Sequence, residues 1–66
     1  ALRVTLTGNS EVWIENYRGI LEYTGERILL QARTCQVCLE GSRLSIDYYT
    51  NEDMKISGNI VSLTYI

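Results

Sequence analysis

Apolar and polar residues alternate along most of this chain, and a glycine interrupts the alternation at nearly equal steps. Gly8, Gly25, Gly41 and Gly58 lie 17, 16 and 17 residues apart, and Leu6, Tyr23, Leu39 and Ile56 stand two places before them. After the last three, apolar residues follow at plus three and plus five: Ile28 and Leu30, Leu44 and Ile46, Val61 and Leu63. One extra residue after Gly8 shifts its pair to Val12 and Ile14. A period of two belongs to a strand with one buried face, and glycine accepts the positive φ of tight hairpin turns. The pattern predicts an all-β chain of four similar two-strand units. Its expected form is a compact antiparallel meander of seven or eight short strands, folded as a sandwich or partial barrel. The near-17 repeat also permits a short β-solenoid whose coils stack end to end.

The expected strands are centred on Val4, Val12-Ile14, residues 20–23, 28–32, 35–39, 44–49, Ile56 and Val61-Tyr65. Gly8, Gly25, Gly41 and Gly58 are read as turns between them, and Gly19 as a turn or bulge. Residues 50–53 are the most polar stretch and read as a surface turn. Helix is disfavoured, because no eleven-residue window keeps three-four spacing and β-branched and aromatic residues abound. Proline, a common device for blunting strand edges, is absent. Residues 59–66 carry no charge and have high β-propensity. Left bare, such a strand would aggregate, so it is expected at the sheet centre or in a subunit contact.

Sixty-six residues bound the chain to a single β domain, 1–66. A domain this small buries only about 60% of its unfolded surface, which favours a homodimer or larger homo-oligomer. At 45% hydrophobic and 21% charged the composition is globular. No apolar run is long enough to span a membrane, and no basic-plus-apolar leader of a signal peptide is visible. The net charge of −2, with a single lysine and five scattered arginines, offers no basic stripe for phosphates. Nucleic acid and anionic membranes are therefore not expected partners.

Candidate chemistry is sparse. Cys35 and Cys38 form a CxxC, but zinc wants four ligands and the chain has no histidine. Residues three apart on a strand point to opposite faces, roughly 10 Å apart along it, so the pair would neither chelate one ion nor bond to each other. Both cysteines read as small apolar side chains, reduced as in a cytosolic compartment. The eight carboxylates read mostly as solvated charges, Glu26 beside Arg27 and Glu40 with Arg43 among them. Without histidine there is no base for triad chemistry. No enzyme activity, metal or cofactor is expected.

The aromatic set is large: Trp13, Tyr17, Tyr23, Tyr48, Tyr49 and Tyr65. Tyrosines can stack cross-strand at the rim of a core, or they can form a protein-contact surface, where Tyr and Trp are enriched. Trp13 falls on the face opposite Val12 and Ile14, and Tyr48 and Tyr49 straddle one strand. Trp13, Tyr17, Tyr48 and Tyr49 are the candidate interaction surface.

One segment is more specific than strand alternation: Ile14-Glu15-Asn16-Tyr17-Arg18-Gly19-Ile20-Leu21-Glu22-Tyr23. It lies between Leu6-Thr7-Gly8-Asn9 and the later elements Gly41-x-x-Leu44-x-Ile46 and Ile56-Ser57-Gly58-Asn59-Ile60. Together these resemble the YabP/YqfC family of small sporulation proteins of endospore-forming bacteria, its YqfC branch in particular. The resemblance runs from Val4 to Tyr65. It implies a non-catalytic role in spore formation, in the mother-cell cytoplasm, with no cofactor. It offers no catalytic or ligand residues to carry over, and the two cysteines lie outside the family pattern. The expected function is a protein-interaction module with partners of unknown identity. The alternative is a self-assembling structural protein that polymerises through its terminal strands.

Overall fold

The structure, a computed structural model, describes residues 1–66 and contains six strands and no helix. β1 (Arg3–Thr7), β2 (Glu11–Glu15), β3 (Gly19–Tyr23) and β4 (Arg27–Gln31) have five residues each. β5 (Gln36–Tyr49) and β6 (Asp53–Tyr65) run for 14 and 13 residues. They form one sheet in the order β1-β2-β6-β5-β4-β3, with every pair antiparallel. The all-β antiparallel expectation holds, but the count is six rather than seven or eight. The meander is also interrupted, because β2 pairs with β6 and not with β3. A β-solenoid stacks its coils in parallel, and no parallel pair is formed.

The count falls because Gly41 and Gly58 lie inside β5 and β6. A straight strand of 14 residues would span roughly 46 Å, yet the whole backbone measures only 26 × 20 × 18 Å. Both long strands therefore bend sharply. They do so where they cross, at register shifts beside Gly41 and between Ser42 and Ser45. A Cβ on Gly41 would sit 1.9 Å from the Asn59 carbonyl oxygen. One on Gly58, whose φ is +136°, would sit 2.5 Å from the Arg43 oxygen. Only glycine permits backbones this close.

The bend divides the sheet into two leaves. The Trp13 leaf holds β1, β2, residues 53–57 of β6 and 45–49 of β5. The Cys38 leaf holds β3, β4, residues 36–40 of β5 and 62–65 of β6. Exchanging β1 with β3, β2 with β4 and β6 with β5 leaves the strand order unchanged, and the registers follow. Val12 opposite Ile56 matches Ile28 opposite Leu39, and Ile14 opposite Met54 matches Leu30 opposite Val37. The crossing obeys the same exchange. Gly58 and Ile60 donate their N–H groups to Ser10 and Asn9, while Gly41 and Leu44 donate theirs to Glu26 and Gly25. The glycine rhythm thus marks two pairs: Gly8 and Gly25 at hairpin ends, Gly41 and Gly58 at the crossing.

The core comes from the inward residues of both leaves. Its eleven-residue cluster consists of five equivalent pairs, Val12/Ile28, Ile14/Leu30, Met54/Val37, Ile56/Leu39 and Leu44/Ile60, with Tyr17 added. Each fully buried aliphatic side chain contributes about 1.5–3 kcal/mol before the entropy of ordering it.

Local turn chemistry is as regular. Thr24 Oγ1 accepts the N–H groups of Glu26 and Arg27, and Thr50 Oγ1 accepts those of Glu52 and Asp53. Residues 50–53 therefore form the expected turn. Gly19 is no bulge: it pairs with Gln31 at the start of β3, and the irregularity falls at Leu21.

Candidate interaction surface

Trp13 lies on the outer face of its leaf because β2 alternates, with Val12 and Ile14 filling the core. The register sets it between Thr5 of β1 and Lys55 of β6, and Lys55 in turn faces Tyr48 of β5. Thr5, Trp13, Lys55 and Tyr48 thus form a row across four strands.

Lys55 is the hub of this row. Its Nζ lies 5.3 Å from the centre of the Trp13 ring, within cation–π range. The same ammonium pairs with Glu11 Oε2 at 3.1 Å and Asp47 Oδ2 at 3.5 Å. The Ser57 hydroxyl donates to Asp47 Oδ1 at 2.9 Å and fixes that carboxylate. The hydrogen bond to Glu11, with help from Asp47, holds the Lys55 pKa above its ordinary value against the opposing effect of desolvation. Beside Lys55, Trp13 and Tyr48 line a shallow depression with Thr5, Glu15, Asp53 and Met54.

The four candidate aromatics separate into two groups. Trp13 and Tyr48 share this depression. Tyr49 faces the other way, opposite Met54, beside a second depression lined in part by Tyr17 and Ile20. Tyr17 is a correction: at 5% exposure it belongs to the core, and its hydroxyl donates to the Thr50 carbonyl. The chain turns inward there because Asn16 adopts a left-handed φ of 67° and donates through Nδ2 to the Ala1 carbonyl. Burial, then the nearby Tyr49 and Asp53, raise the Tyr17 pKa.

The remaining candidate chemistry is dispersed. Cys38 lies buried within β5, where its Sγ accepts from Arg27 Nε at 3.5 Å, and Cys35 precedes the strand. Arg27 pairs with Glu22 rather than with its neighbour Glu26. No three Cys, Asp or Glu side chains converge as a metal site would require. The Lys55 hub is not legible in the sequence, because Lys55 lies on β6 and its partners come from β2 and β5. Its one visible signal was that Lys55 is the only lysine.

A bent antiparallel sheet with a paired aromatic-and-charge face on one leaf defines a small all-β protein. A sequence model of the YabP family matches residues 1–66, and the chain belongs to that family. It is similar to the uncharacterized protein YqfC of Bacillus subtilis (strain 168), with 27% identity over 64 residues. The match covers 97% of this chain and 69% of that protein.

Proposed function

We propose that the chain is a non-catalytic sporulation protein of the mother cell that acts as a protein-interaction module. Its docking face is the outer surface around Trp13 and Tyr48. YabP-family membership supports the association with sporulation. The observation that carries the interaction reading is the contrast between the leaves. Trp13 and Lys55 of one leaf correspond by register to Leu29 and Cys38 of the other. Residues packed inside the leaves match, whereas this face is individual. Glu11, Glu15, Asp47 and Asp53 outnumber Arg3 and Lys55 around it, and Glu15 and Asp53 line the depression itself. Such a site suits a partner that lays a cationic side chain into the depression beside Trp13 and Tyr48, against Glu15 and Asp53.

The test is complementation in a sporulating host. Deleting the gene should lower the yield of heat-resistant spores, and the intact gene should restore it. A Trp13→Ala/Tyr48→Ala variant should accumulate normally, keep its β-sheet dichroism and fail to restore the yield. Full rescue by the double variant would remove the docking face, and a deletion without effect on spores would remove the sporulation role.

A further inference from the structure

The two leaves differ at one strand edge, independently of the aromatic face. Gln36 and Ile66 exchange both backbone hydrogen bonds, each 2.9 Å long. In an antiparallel pair such exchanges recur at every second residue. Cys38–Thr64 and Glu40–Ser62 are therefore bonded pairs, while Val37–Tyr65 and Leu39–Leu63 are not. The N–H and C=O groups of Leu63 and Tyr65 consequently point away from β5. On that side β2 pairs only with residues 53–57, so the edge along residues 62–66 is open.

The equivalent edge of the Trp13 leaf is protected. Ile46, the counterpart of Leu63, donates its N–H to the Tyr23 hydroxyl at 3.0 Å. Asp47 adds a charge, and the register shift beside it distorts the strand. Tyr23 corresponds to Leu6 in the other leaf, and Leu6 has no hydroxyl to offer Leu63. The outer strands carry their own defences: β3 has the irregularity at Leu21 and a carboxylate at Glu22, and β1 has Arg3. Residues 62–66 have no charged side chain, proline or bulge, while Tyr65 and Ile66 are 56% and 65% exposed.

We propose that this edge binds the same edge of a second copy, antiparallel about a twofold axis through Thr64. The strand is self-complementary in this arrangement. Leu63 of one copy stands opposite Tyr65 of the other and joins two apolar inner faces. Thr64 meets Thr64 on the outer face, a favourable cross-strand pair, and no like charges oppose. Backbone groups of Leu63 and Tyr65 that are open in one copy become bonded. A twofold contact uses each edge once, so assembly closes at the dimer and does not grow into a polymer. The contact is short, which places it among weak interfaces.

Sedimentation equilibrium of the 66-residue chain, from about 10 µM to about 1 mM, spans the weak range. The expected result is a rise from the 7.5 kDa monomer mass to twice that value and no further. Thr64 is exposed, so Thr64→Lys and Thr64→Glu should each leave the melting curve unchanged. Each should also weaken dimerisation at least about tenfold, because like charges then meet on the axis. Mixing the two variants should restore the dimer. A wild-type chain that stays monomeric, a mass above the dimer, or a Thr64→Lys variant that dimerises like the parent would each overturn the proposal.

Discussion

The two leaves share an interior and differ on the outside. At the five equivalent core positions both leaves place an aliphatic side chain or methionine. On the outer faces the equivalents are Glu11/Arg27, Trp13/Leu29, Glu15/Gln31, Lys55/Cys38, Asp53/Gln36 and Ser57/Glu40, and no pair matches. Interior residues face close packing, where volume and polarity are strictly limited. Most outer residues, the buried Cys38 apart, escape that limit, so the leaves are free to differ there. The leaves therefore differ in what they present: an aromatic and charged face on one, an unprotected edge on the other.

Glycine substitutions test this division most severely. Under a fourfold repeat, replacing any of the four rhythmic glycines by alanine would cost about the same. The observed geometry separates them. Gly41→Ala and Gly58→Ala drive a Cβ into backbone atoms at the crossing. Each should cost more than about 4 kcal/mol, enough to unfold a domain of this size. Gly8→Ala has open space but keeps a φ of +57°, so a loss of about 1 kcal/mol is expected. Gly25→Ala has open space and no positive φ, and should stay within about 0.5 kcal/mol of the parent. Urea titration of the four variants measures the series. Equal losses would break the assignment of two glycines to the crossing.

A smaller effect sharpens the equivalence of the leaves. Ile14→Ala and Leu30→Ala each empty a fully buried site, and each should cost about 2–5 kcal/mol. Their unfolding should remain a single transition by both far-ultraviolet dichroism and tryptophan fluorescence, because one core joins the leaves. If either variant unfolds in two steps, the leaves are separate folding units.

Tyr17 marks the smallest difference, since its counterpart by chain position, Arg33, is exposed. Tyr17→Phe removes the donor to the Thr50 carbonyl and should cost about 1 kcal/mol. The Tyr17 pKa is raised by burial, then by Tyr49 and Asp53, so the folded state holds that proton more tightly than the unfolded chain. Its contribution is fully present below the ordinary tyrosine value of about 10 and is lost as pH rises through the folded value. Lys55, raised chiefly by its hydrogen bond to Glu11, acts in the same direction above its own ordinary value. Urea midpoints should therefore be level near neutrality and fall from about pH 10 upward, less steeply in Tyr17→Phe. A midpoint that rises with alkalinity would contradict the placement of both groups.

Much of the fold was legible in the residues. Alternation located β1 to β4 and the two ends of each long strand, and Thr50 to Asp53 announced its turn by composition. The sequence does not separate Gly41 and Gly58 from turn glycines, because glycine serves two purposes, a tight turn or a close approach of two backbones, and alternation around it looks the same in both. The site was half legible. Trp13 and Tyr48 stood out by type and face, but Tyr17 shares their chemistry and lies inside.

Local periodicity fixed that this chain forms strands, which side chains point inward and where polar turns fall, since these follow from backbone geometry within a few residues. Tertiary structure alone decided that β5 and β6 cross, that β2 adds to β6, that Lys55 meets Trp13, Glu11 and Asp47, and that one edge stays open. Each of those depends on register between segments distant in sequence, and register is set by how two faces pack together rather than by either strand.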